Sequence, residues 1–325
     1  MKEKGLNVIN TESDESEMSE PRNHLRSVAC IVNPGAAKKK WLRRKRLHRY
    51  LKKNLPGQKY DQLADKEKTI ELARELSARN ETIVVVGGDG TVADVLQGIK
   101  ESQRGKDIIL GIIPLGSGNA FRKALGIPKN VKKAIRVLYE GKVKEISLME
   151  VEGKIAGFAS IGATAQVSVE KLKYHMQGLW SHIVAGTIIP RLSRWDMEVN
   201  LEDGIDNEGK AFAQKTLRLK VLDCIVAKSN YFGYSWRIAP MASLEDDYLD
   251  ITFFEMSGRK YPFLLPLLYF GLYQRRQKHY KARRMTIKGK NLPIQYHGEL
   301  LGIRDKVEVK VLPRAVKAIC PPKAC

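Results

Sequence analysis

Hydrophobic positions in the first 145 residues alternate between short apolar runs and helical stripes. Runs at residues 27–32, 82–86 and 108–113 predict buried strands. Between them, apolar residues recur every three or four positions at 66–79 and 92–99, which predicts amphipathic helices. This alternation indicates an α/β domain whose parallel sheet has helices on both faces.

The pattern changes after about residue 145. Strand-like runs separated by glycines and charged turns predict an antiparallel, β-rich domain, interrupted by one helix over residues 166–192. The predicted strands are 146–151, 155–161, 195–201, 216–227, 249–254, 284–288 and 307–312. We therefore predict a disordered polar tail over 1–24, an α/β nucleotide-binding domain over 25–145 and a β-rich lipid-binding domain over 146–325; the assignment of ligands to these domains depends on the resemblance described below.

Charge is distributed unevenly along the 325-residue chain. Its formal net charge is +21, but residues 1–20 hold two lysines and six acidic residues, so the remainder carries +25. A basic surface favours anionic partners such as nucleic acids, acidic lipids and phosphorylated small molecules. No RRM, KH or zinc-finger signature is present, so we do not expect a nucleic-acid partner.

Two basic segments contain no acidic residue. Residues 38–53 hold ten Lys and Arg side chains with leucines at near-helical spacing, which predicts a basic amphipathic helix. Residues 274–290 hold eight more and follow an aromatic, leucine-rich run at 261–273 that is too short to span a bilayer. These segments are either contacts with an anionic membrane surface or ordinary solvated faces.

Cysteine usage and hydropathy indicate the compartment. The four cysteines (Cys30, Cys224, Cys320 and Cys325) form no CxxC pair and are too scattered for a disulfide framework. No stretch is apolar for long enough to span a bilayer, and residues 1–20 lack the apolar core of a signal peptide. We expect a cytoplasmic protein that associates peripherally with membranes.

Two glycine-rich loops carry the candidate chemistry. Gly87-Gly88-Asp89-Gly90-Thr91 lies between a predicted strand and helix, where free N–H groups and the helix dipole favour phosphate. Leu115-Gly116-Ser117-Gly118-Asn119 follows the next predicted strand, so both loops should meet at one edge of the parallel sheet. Either loop alone could be a plain strand–helix turn. Walker A, GxGxxG and protein-kinase HRD and DFG motifs are absent.

These loops resemble the diacylglycerol kinase catalytic family, which includes bacterial diacylglycerol kinase-like enzymes and the eukaryotic sphingosine and ceramide kinases. The resemblance extends over residues 26–315. It is carried by Asn33-Pro34, the two glycine-rich loops, Phe121-Arg122, 125–128, Phe158 with Gly162, 229–233, 239–242, Asp246 and Leu249-Asp250.

The resemblance implies two domains with a nucleotide in the cleft between them. The γ-phosphate of ATP would pass to the hydroxyl of a lipid substrate (a sphingoid base, ceramide or diacylglycerol), with Mg²⁺ bridging phosphate oxygens. Asp89 would be the general base or part of the metal network, and Glu299 matches the proton acceptor of the bacterial branch. The implied nucleotide-binding residues are Asn33, Pro34, Gly35, Gly87, Gly88, Asp89, Gly90, Thr91, Gly116, Ser117, Gly118 and Asn119.

The chain departs from the family pattern at two positions. The family's Asp-Gly-Glu segment reads His297-Gly298-Glu299 here, which replaces a carboxylate by an imidazole. The family's Asp-Gly reads Asp246-Asp247. In the bacterial branch that aspartate helps to hold a structural Mg²⁺ with backbone carbonyls, which implies Ser243, Asp246 and Tyr248 as ligands here.

Three further alternatives stay open on the sequence. An NAD kinase-like activity is one, since that related family shares the Gly-Gly-Asp-Gly-Thr loop, although its second loop is missing here. A non-catalytic nucleotide- or lipid-binding regulator is another, because of His297. A homodimer is a further partner that the sequence permits.

Overall fold

The computed structural model describes residues 25–33, 45–61, 65–116, 118–173, 187–231, 237–273 and 277–322. In these residues thirteen strands form one continuous sheet, and each half of the chain contributes helices that cover it. The predicted tail at 1–24 lies outside this described part, as do Pro34, Gly35 and Ser117.

The amino-terminal half is a parallel sheet in the order β2-β1-β3-β4. Its strands are β1 (Val28–Val32), β2 (Gln58–Asp61), β3 (Thr82–Gly87) and β4 (Ile109–Pro114), and its helices are α1 (Lys45–Asn54), α2 (Lys66–Arg79), α3 (Asp89–Glu101), α4 (Ala120–Ala124) and α5 (Val131–Glu140). Every residue of β1 and β3 is buried. Burial of whole strands is what helices on both faces of a parallel sheet produce.

The carboxy-terminal half is antiparallel. Its strands are β5 (Lys142–Val151), β6 (Lys154–Ala156), β7 (Phe158–Gly162), β8 (Trp195–Ile205), β9 (Ala211–Val221), β10 (Asp223–Ala227), β11 (Leu249–Phe254), β12 (Lys278–Tyr296) and β13 (Glu299–Cys320), with helices α6 (Ala163–Lys173) and α7 (Tyr261–Tyr269). The predicted fold class, a parallel α/β domain followed by an antiparallel β-rich domain, is confirmed.

Strand β13 belongs to both halves. Along most of its length it pairs antiparallel with β12 and β5. Near its end Lys317 and Ala318 pair in parallel with Ile109 and Leu110 of β4. The last residues of the chain's second half therefore complete the first half's sheet, and Ile319 packs in the same core as Ile83 and Leu110. The boundary at residue 145 falls within β5 and stays a prediction.

Several predicted strands were wrong in extent. The runs at 284–288 and 307–312 are parts of the much longer β12 and β13, and two other runs are each divided into two strands. The run at 155–161 is divided at Gly157, whose carbonyl accepts hydrogen bonds from Lys228 and Ser229 instead of a neighbouring strand. The run at 216–227 is divided at Leu222, because β9 pairs with β8 whereas β10 pairs with β7 and β11.

The helix predictions are confirmed in part. The predicted helix at 166–192 begins as α6 at Ala163, and residues 174–186 lie outside the described residues. The basic helix predicted at 38–53 is described only as α1. Within the part of the chain that the structure describes, no helix combines the length and apolar character needed to cross a membrane.

Candidate active site

The two glycine-rich loops are in direct contact at the carboxyl ends of β3 and β4. The Leu115 N–H donates to the Gly87 carbonyl at 2.8 Å. Gly88 and Gly116 meet backbone to backbone: a Cβ added to Gly116 would lie 2.5 Å from the Gly88 Cα. Contacts that short do not occur between real Cβ atoms, so any larger residue at 116 would push the loops apart.

The first loop opens directly into α3, which presents its free N–H groups at the loop. Gly88 is the N-cap of this helix, and no side chain caps it. A Cβ on Gly90 would meet nothing within 4 Å, so the space beside this turn is open. Free N–H groups, the positive end of the helix dipole and an unobstructed approach fit a phosphate group.

Asn33 closes the other side of the first loop. Its backbone N–H continues the β1–β3 pairing by donating to the Val86 carbonyl at 2.9 Å. Its side-chain Nδ2 donates to the Thr91 Oγ1 at 2.8 Å. The structure thus brings together Asn33 and the residues from Gly87 to Thr91 that the sequence assigned to the nucleotide.

The second loop is held by its own asparagine. Asn119 adopts a left-handed conformation with φ of 54°. Its Oδ1 accepts from the Gly116 N–H at 3.1 Å, and its Nδ2 donates to the Gly116 carbonyl at 2.7 Å. The side chain thereby replaces backbone hydrogen bonds across the turn that contains Gly118.

Asp89 connects the first loop to the helix that follows the second. Its Oδ1 accepts a hydrogen bond from the Phe121 N–H at 3.2 Å, at the start of α4. Burial raises the pKa of Asp89, and the backbone N–H groups of Phe121, Ala120 and Asn119 partly oppose this rise. A carboxylate held in place and destabilised by burial is suited to accept a proton.

Glu299 lies on the hairpin between β12 and β13. Phe121 contacts both this hairpin and the first loop, and we call the region around it the cleft. Its Oε2 accepts a hydrogen bond from the Lys66 Nζ at 3.0 Å. Lys66 is the first residue of α2, and its Nζ also donates to the Tyr296 hydroxyl. Burial lowers the pKa of Lys66, but the bonds to Tyr296 and Glu299 outweigh this effect and raise it. The ammonium therefore stays charged beside Glu299.

Lys66 and Asp94 are cleft residues that sequence reasoning missed. Lys66 is separated from Glu299 by 233 positions and has the appearance of an ordinary first-turn residue of a helix. Burial raises the pKa of Asp94 to about 7, with the charge of Lys66 opposing the rise and that of Glu299 adding to it. No spacing signal in the sequence could have indicated this cluster.

His297 is packed into the cleft wall as a neutral ring. Its Nε2 accepts a hydrogen bond from the Gly157 N–H at 3.2 Å, and its ring lies 5.8 Å from that of Phe121. Burial lowers the pKa of His297 to about 4. The departure from the family's aspartate therefore removes a negative charge without adding a positive one, and the ring fixes Gly157 against the hairpin that carries Glu299.

The residues predicted to hold a structural Mg²⁺ surround a lysine. Lys228 Nζ donates to the Asp246 carbonyl at 2.6 Å, to the Asp246 Oδ1 at 2.8 Å and to the Tyr248 carbonyl at 2.9 Å. Burial raises the pKa of Asp246, but the bonds to Lys228 and Lys281 outweigh it and lower the pKa. Mg²⁺ needs oxygen ligands at about 2.1 Å, and the ammonium already uses two of the three predicted ligands. The prediction of Ser243, Asp246 and Tyr248 as a metal site does not fit these residues as they are arranged.

The described residues contain no other cluster of metal ligands. Among the described residues, no group of three or more His, Cys, Asp or Glu side chains could hold a metal ion. The carboxylates of this region are Asp89 and Asp94 on α3 and Glu299 on the hairpin. A divalent cation here would have to arrive with phosphate oxygens as additional ligands, which is how Mg²⁺ is commonly bound at phosphoryl-transfer sites.

Comparison with known proteins identifies both halves of the chain. Residues 27–151 match the model of the diacylglycerol kinase catalytic domain. Residues 158–320 match the model described as the YegS C-terminal NAD kinase beta sandwich-like domain.

Curated relatives agree with these matches. A diacylglycerol kinase of Staphylococcus saprophyticus subsp. saprophyticus is 26% identical over 258 residues, which cover 74% of this chain and 80% of that protein. A diacylglycerol kinase of Staphylococcus carnosus is 28% identical over 187 residues, covering 56% of this chain and 57% of that protein.

Solved structures share the whole fold. One structure from Bacillus anthracis str. Sterne superposes with a TM-score of 0.71 at 20% identity and covers 94% of this chain and 99% of its own. Another, a diacylglycerol kinase from the same strain, gives 0.67 at 19% identity, covering 92% and 98%. At this identity the likeness establishes the fold alone. The two domain matches, the curated relatives and the joined glycine-rich loops show that the chain belongs to the diacylglycerol kinase catalytic family of lipid kinases.

Proposed function

We propose that this protein is an ATP-dependent kinase that phosphorylates the hydroxyl of diacylglycerol. The observation that carries the proposal is that Phe121 contacts both the first glycine-rich loop and the hairpin that holds Glu299. The N–H of Phe121 binds Asp89, and its ring packs beside His297, two residues before Glu299. The curated relatives named diacylglycerol kinase support the choice of acceptor.

Different residues of the cleft have different roles in phosphoryl transfer. The α3 amino terminus and the open turn at Gly90 would bind phosphate oxygens, while Asn33 and Thr91 shape the turn. Bound ATP with Mg²⁺ would supply the phosphoryl group and neutralise charge on it. The lipid hydroxyl would form the new bond to the γ-phosphorus as the bond to the ADP oxygen breaks.

The proton of the lipid hydroxyl needs an acceptor. Asp89 and Glu299 are the two carboxylates at the cleft that the family pattern assigns to this chemistry. We propose that Glu299, oriented by Lys66, takes the proton, and that Asp89 aligns the loops and the metal-bound phosphates. Both carboxylates are held by hydrogen bonds that fix their direction before any ligand arrives.

An NAD kinase-like activity is the second candidate, because the carboxy-terminal domain matches a model described as NAD kinase-like. The decisive experiment is transfer of radiolabelled phosphate from ATP to a panel of diacylglycerol, ceramide, sphingosine and NAD. Label on diacylglycerol above the other acceptors is the expected result. Label on NAD alone would replace the proposal, and no transfer to any acceptor would favour a binding protein without catalysis.

A further inference from the structure

Lys228 carries an ammonium group that is completely enclosed. It follows β10, and its side chain is 0% exposed. The three protons of the ammonium meet three acceptors, namely the Asp246 carbonyl and Oδ1 and the Tyr248 carbonyl. A buried lysine is costly unless its charge is paired and all its protons are bound, and here both conditions are met.

The ammonium closes the loop that precedes β11. Asp246 and Tyr248 lie on this loop, and the Tyr248 N–H donates to the same Asp246 Oδ1 at 3.3 Å. The backbone N–H groups of Lys228 and Ser229 both donate to the Gly157 carbonyl at 2.9 Å. The Gly157 N–H in turn donates to His297. Lys228 thus connects the loop to the cleft wall through backbone hydrogen bonds.

We propose that the Lys228 ammonium is a built-in cation that takes the place of a structural divalent metal, so that the loop at residues 243–248 folds without metal. A cation that is part of the chain loses no translational entropy on binding, and a chelator cannot remove it. Asp246 also accepts a hydrogen bond from Lys281 Nζ through Oδ2 at 2.5 Å, so each oxygen of its carboxylate already binds an ammonium group. This proposal is independent of which acceptor the kinase phosphorylates.

The test is thermal unfolding of the whole chain without nucleotide, in EDTA and in Mg²⁺. The wild type should melt at the same temperature in both. Lys228→Met keeps the length of the side chain but leaves the enclosed oxygens without a cation, and it should lower the melting temperature by about 5 °C or more. Lys281→Met is the matched control, because its ammonium is partly exposed and binds only one oxygen of Asp246; it should cost clearly less.

Three outcomes decide the proposal. A Lys228→Ser variant whose melting temperature becomes dependent on Mg²⁺ would confirm that the ammonium fills a cation position. A Mg²⁺-dependent rise in the wild type that Asp246→Asn abolishes would overturn the proposal, since the metal would then bind where the ammonium lies. A Lys228→Met variant as stable as the wild type would also overturn it.

A second, independent observation is an apolar surface on α7 and on the turn that follows it. Of eight large apolar side chains that are exposed in the described residues, five lie at Phe263, Leu267, Tyr269, Phe270 and Leu272; we call these five the α7 surface. Phe263 is 86% exposed and Phe270 is 64% exposed, while the opposite face of the helix is anchored in the core through Leu268. A helix that is apolar all round indicates a second apolar environment.

The α7 surface is bordered by cations. Exposed basic side chains lie at the start of α7 and on the adjoining segment after residue 187, which packs against it: Arg191, Arg194, Arg259 and Lys260. Residues 187–195 and 256–273 contain no acidic residue. By contrast, the described part of the basic segment 274–290 lies in β12, where Lys278, Lys281 and Arg284 pair with acidic side chains.

We infer that the α7 surface inserts into the acyl region of an anionic bilayer while the bordering cations contact lipid headgroups. Aromatic side chains above a ring of Arg and Lys are typical of helices that lie in the membrane interface. This inference rests on the proposed function in one respect, because a kinase whose acceptor is a membrane lipid must reach the bilayer. The proposed binding partner of the α7 surface is therefore a lipid bilayer.

The experiment is sedimentation with phosphatidylcholine vesicles and with phosphatidylcholine vesicles that contain phosphatidylglycerol. The wild type should bind the anionic vesicles, and salt should weaken this binding. Phe263→Ser with Phe270→Ser should weaken it by about tenfold or more. Val143→Ser with Ile303→Ser is the matched control, because these apolar side chains are 37% and 50% exposed outside the α7 surface.

Two results would overturn the inference. One is equal vesicle binding by the Phe263/Phe270 variant, its Val143/Ile303 control and the wild type. The other is a wild-type dimer that the Phe263/Phe270 substitutions dissociate without any change in vesicle binding, since the α7 surface would then be a contact between two copies of the chain. Binding is measured without turnover, so a protein that binds vesicles but phosphorylates no lipid would contradict only the proposed function.

Discussion

Asp89→Asn is expected to lower kcat by about 10²-fold or more while leaving the melting temperature within a few degrees of the wild type. Asparagine has the same shape and keeps an oxygen to accept from the Phe121 N–H, so the connection between the first loop and α4 should persist. The variant loses the negative charge with which, in our proposal, Asp89 aligns the metal-bound phosphates.

The raised pKa of Asp89 explains why stability should not fall with activity. A carboxyl whose pKa is raised on folding contributes stability at low pH that is lost as the pH rises and the buried group ionises. The buried carboxyl therefore costs stability once the pH exceeds the ordinary pKa of an aspartate, and a neutral amide avoids this cost. We therefore expect Asp89→Asn to lose activity without losing stability.

The measurements are steady-state phosphorylation of a short-chain diacylglycerol and thermal unfolding of the same preparations. Asp107→Asn is the control, because Asp107 is an exposed carboxylate in the 3₁₀ turn Gly105–Asp107, which lies beyond the far end of α3 from the first glycine-rich loop. Turnover close to wild type in Asp89→Asn would remove Asp89 from the chemistry. A melting temperature that falls in proportion to activity would assign it a purely structural role.

The phosphate-binding half of the site could be predicted from local sequence. Gly87 to Thr91 and Leu115 to Asn119 were predictable because a strand, a tight glycine turn and a helix start are encoded within about ten residues. Their meeting at one edge followed from the parallel sheet. The contact of Gly88 with Gly116 shows that the two loops meet as predicted.

The facing half of the site depends on contacts between distant parts of the chain, which a single sequence does not encode locally. The Lys66–Glu299 pair joins residues 233 positions apart, and Lys228 meets Asp246 only because β10 and the loop before β11 converge. The polar edge strand β2, at Gln58–Asp61, was also missed, since it has neither apolar alternation nor length. The pairing of β13 with β4 is equally non-local.

The composition of the basic segments left two interpretations open for a related reason. Eight Lys and Arg residues at 274–290 are compatible with contact to an anionic membrane surface or with a solvated face. In the structure successive side chains of β12 point to opposite faces, and several of the cations pair with acids on β8 and on the loops around β11. Charge counted along a strand therefore overstates the charge presented on any one face.

Glu299→Gln is expected to lower kcat by about 10²-fold, since the amide cannot accept the proton of the lipid hydroxyl. Its effect on stability should be small. The Lys66 and Glu299 side chains are 30% and 58% exposed, and ion pairs this exposed contribute about 1 kcal/mol or less. The measurement is kcat on a short-chain diacylglycerol beside thermal unfolding, and unchanged turnover would exclude Glu299 as the proton acceptor.

Lys66 tests whether the orientation of Glu299 matters, because it acts only through that carboxylate in our proposal. Lys66→Met should lower kcat by about tenfold, whereas the control Lys68→Met, two residues along α2 with its ammonium paired to Asp65 at 3.4 Å, should not. In the Glu299→Gln background, Lys66→Met should cause almost no further loss, since two residues that work as one unit are not additive. Full additivity of the two losses would show instead that Lys66 acts on the phosphates directly, and equal kcat values for the Lys66 and Lys68 variants would remove Lys66 from the mechanism.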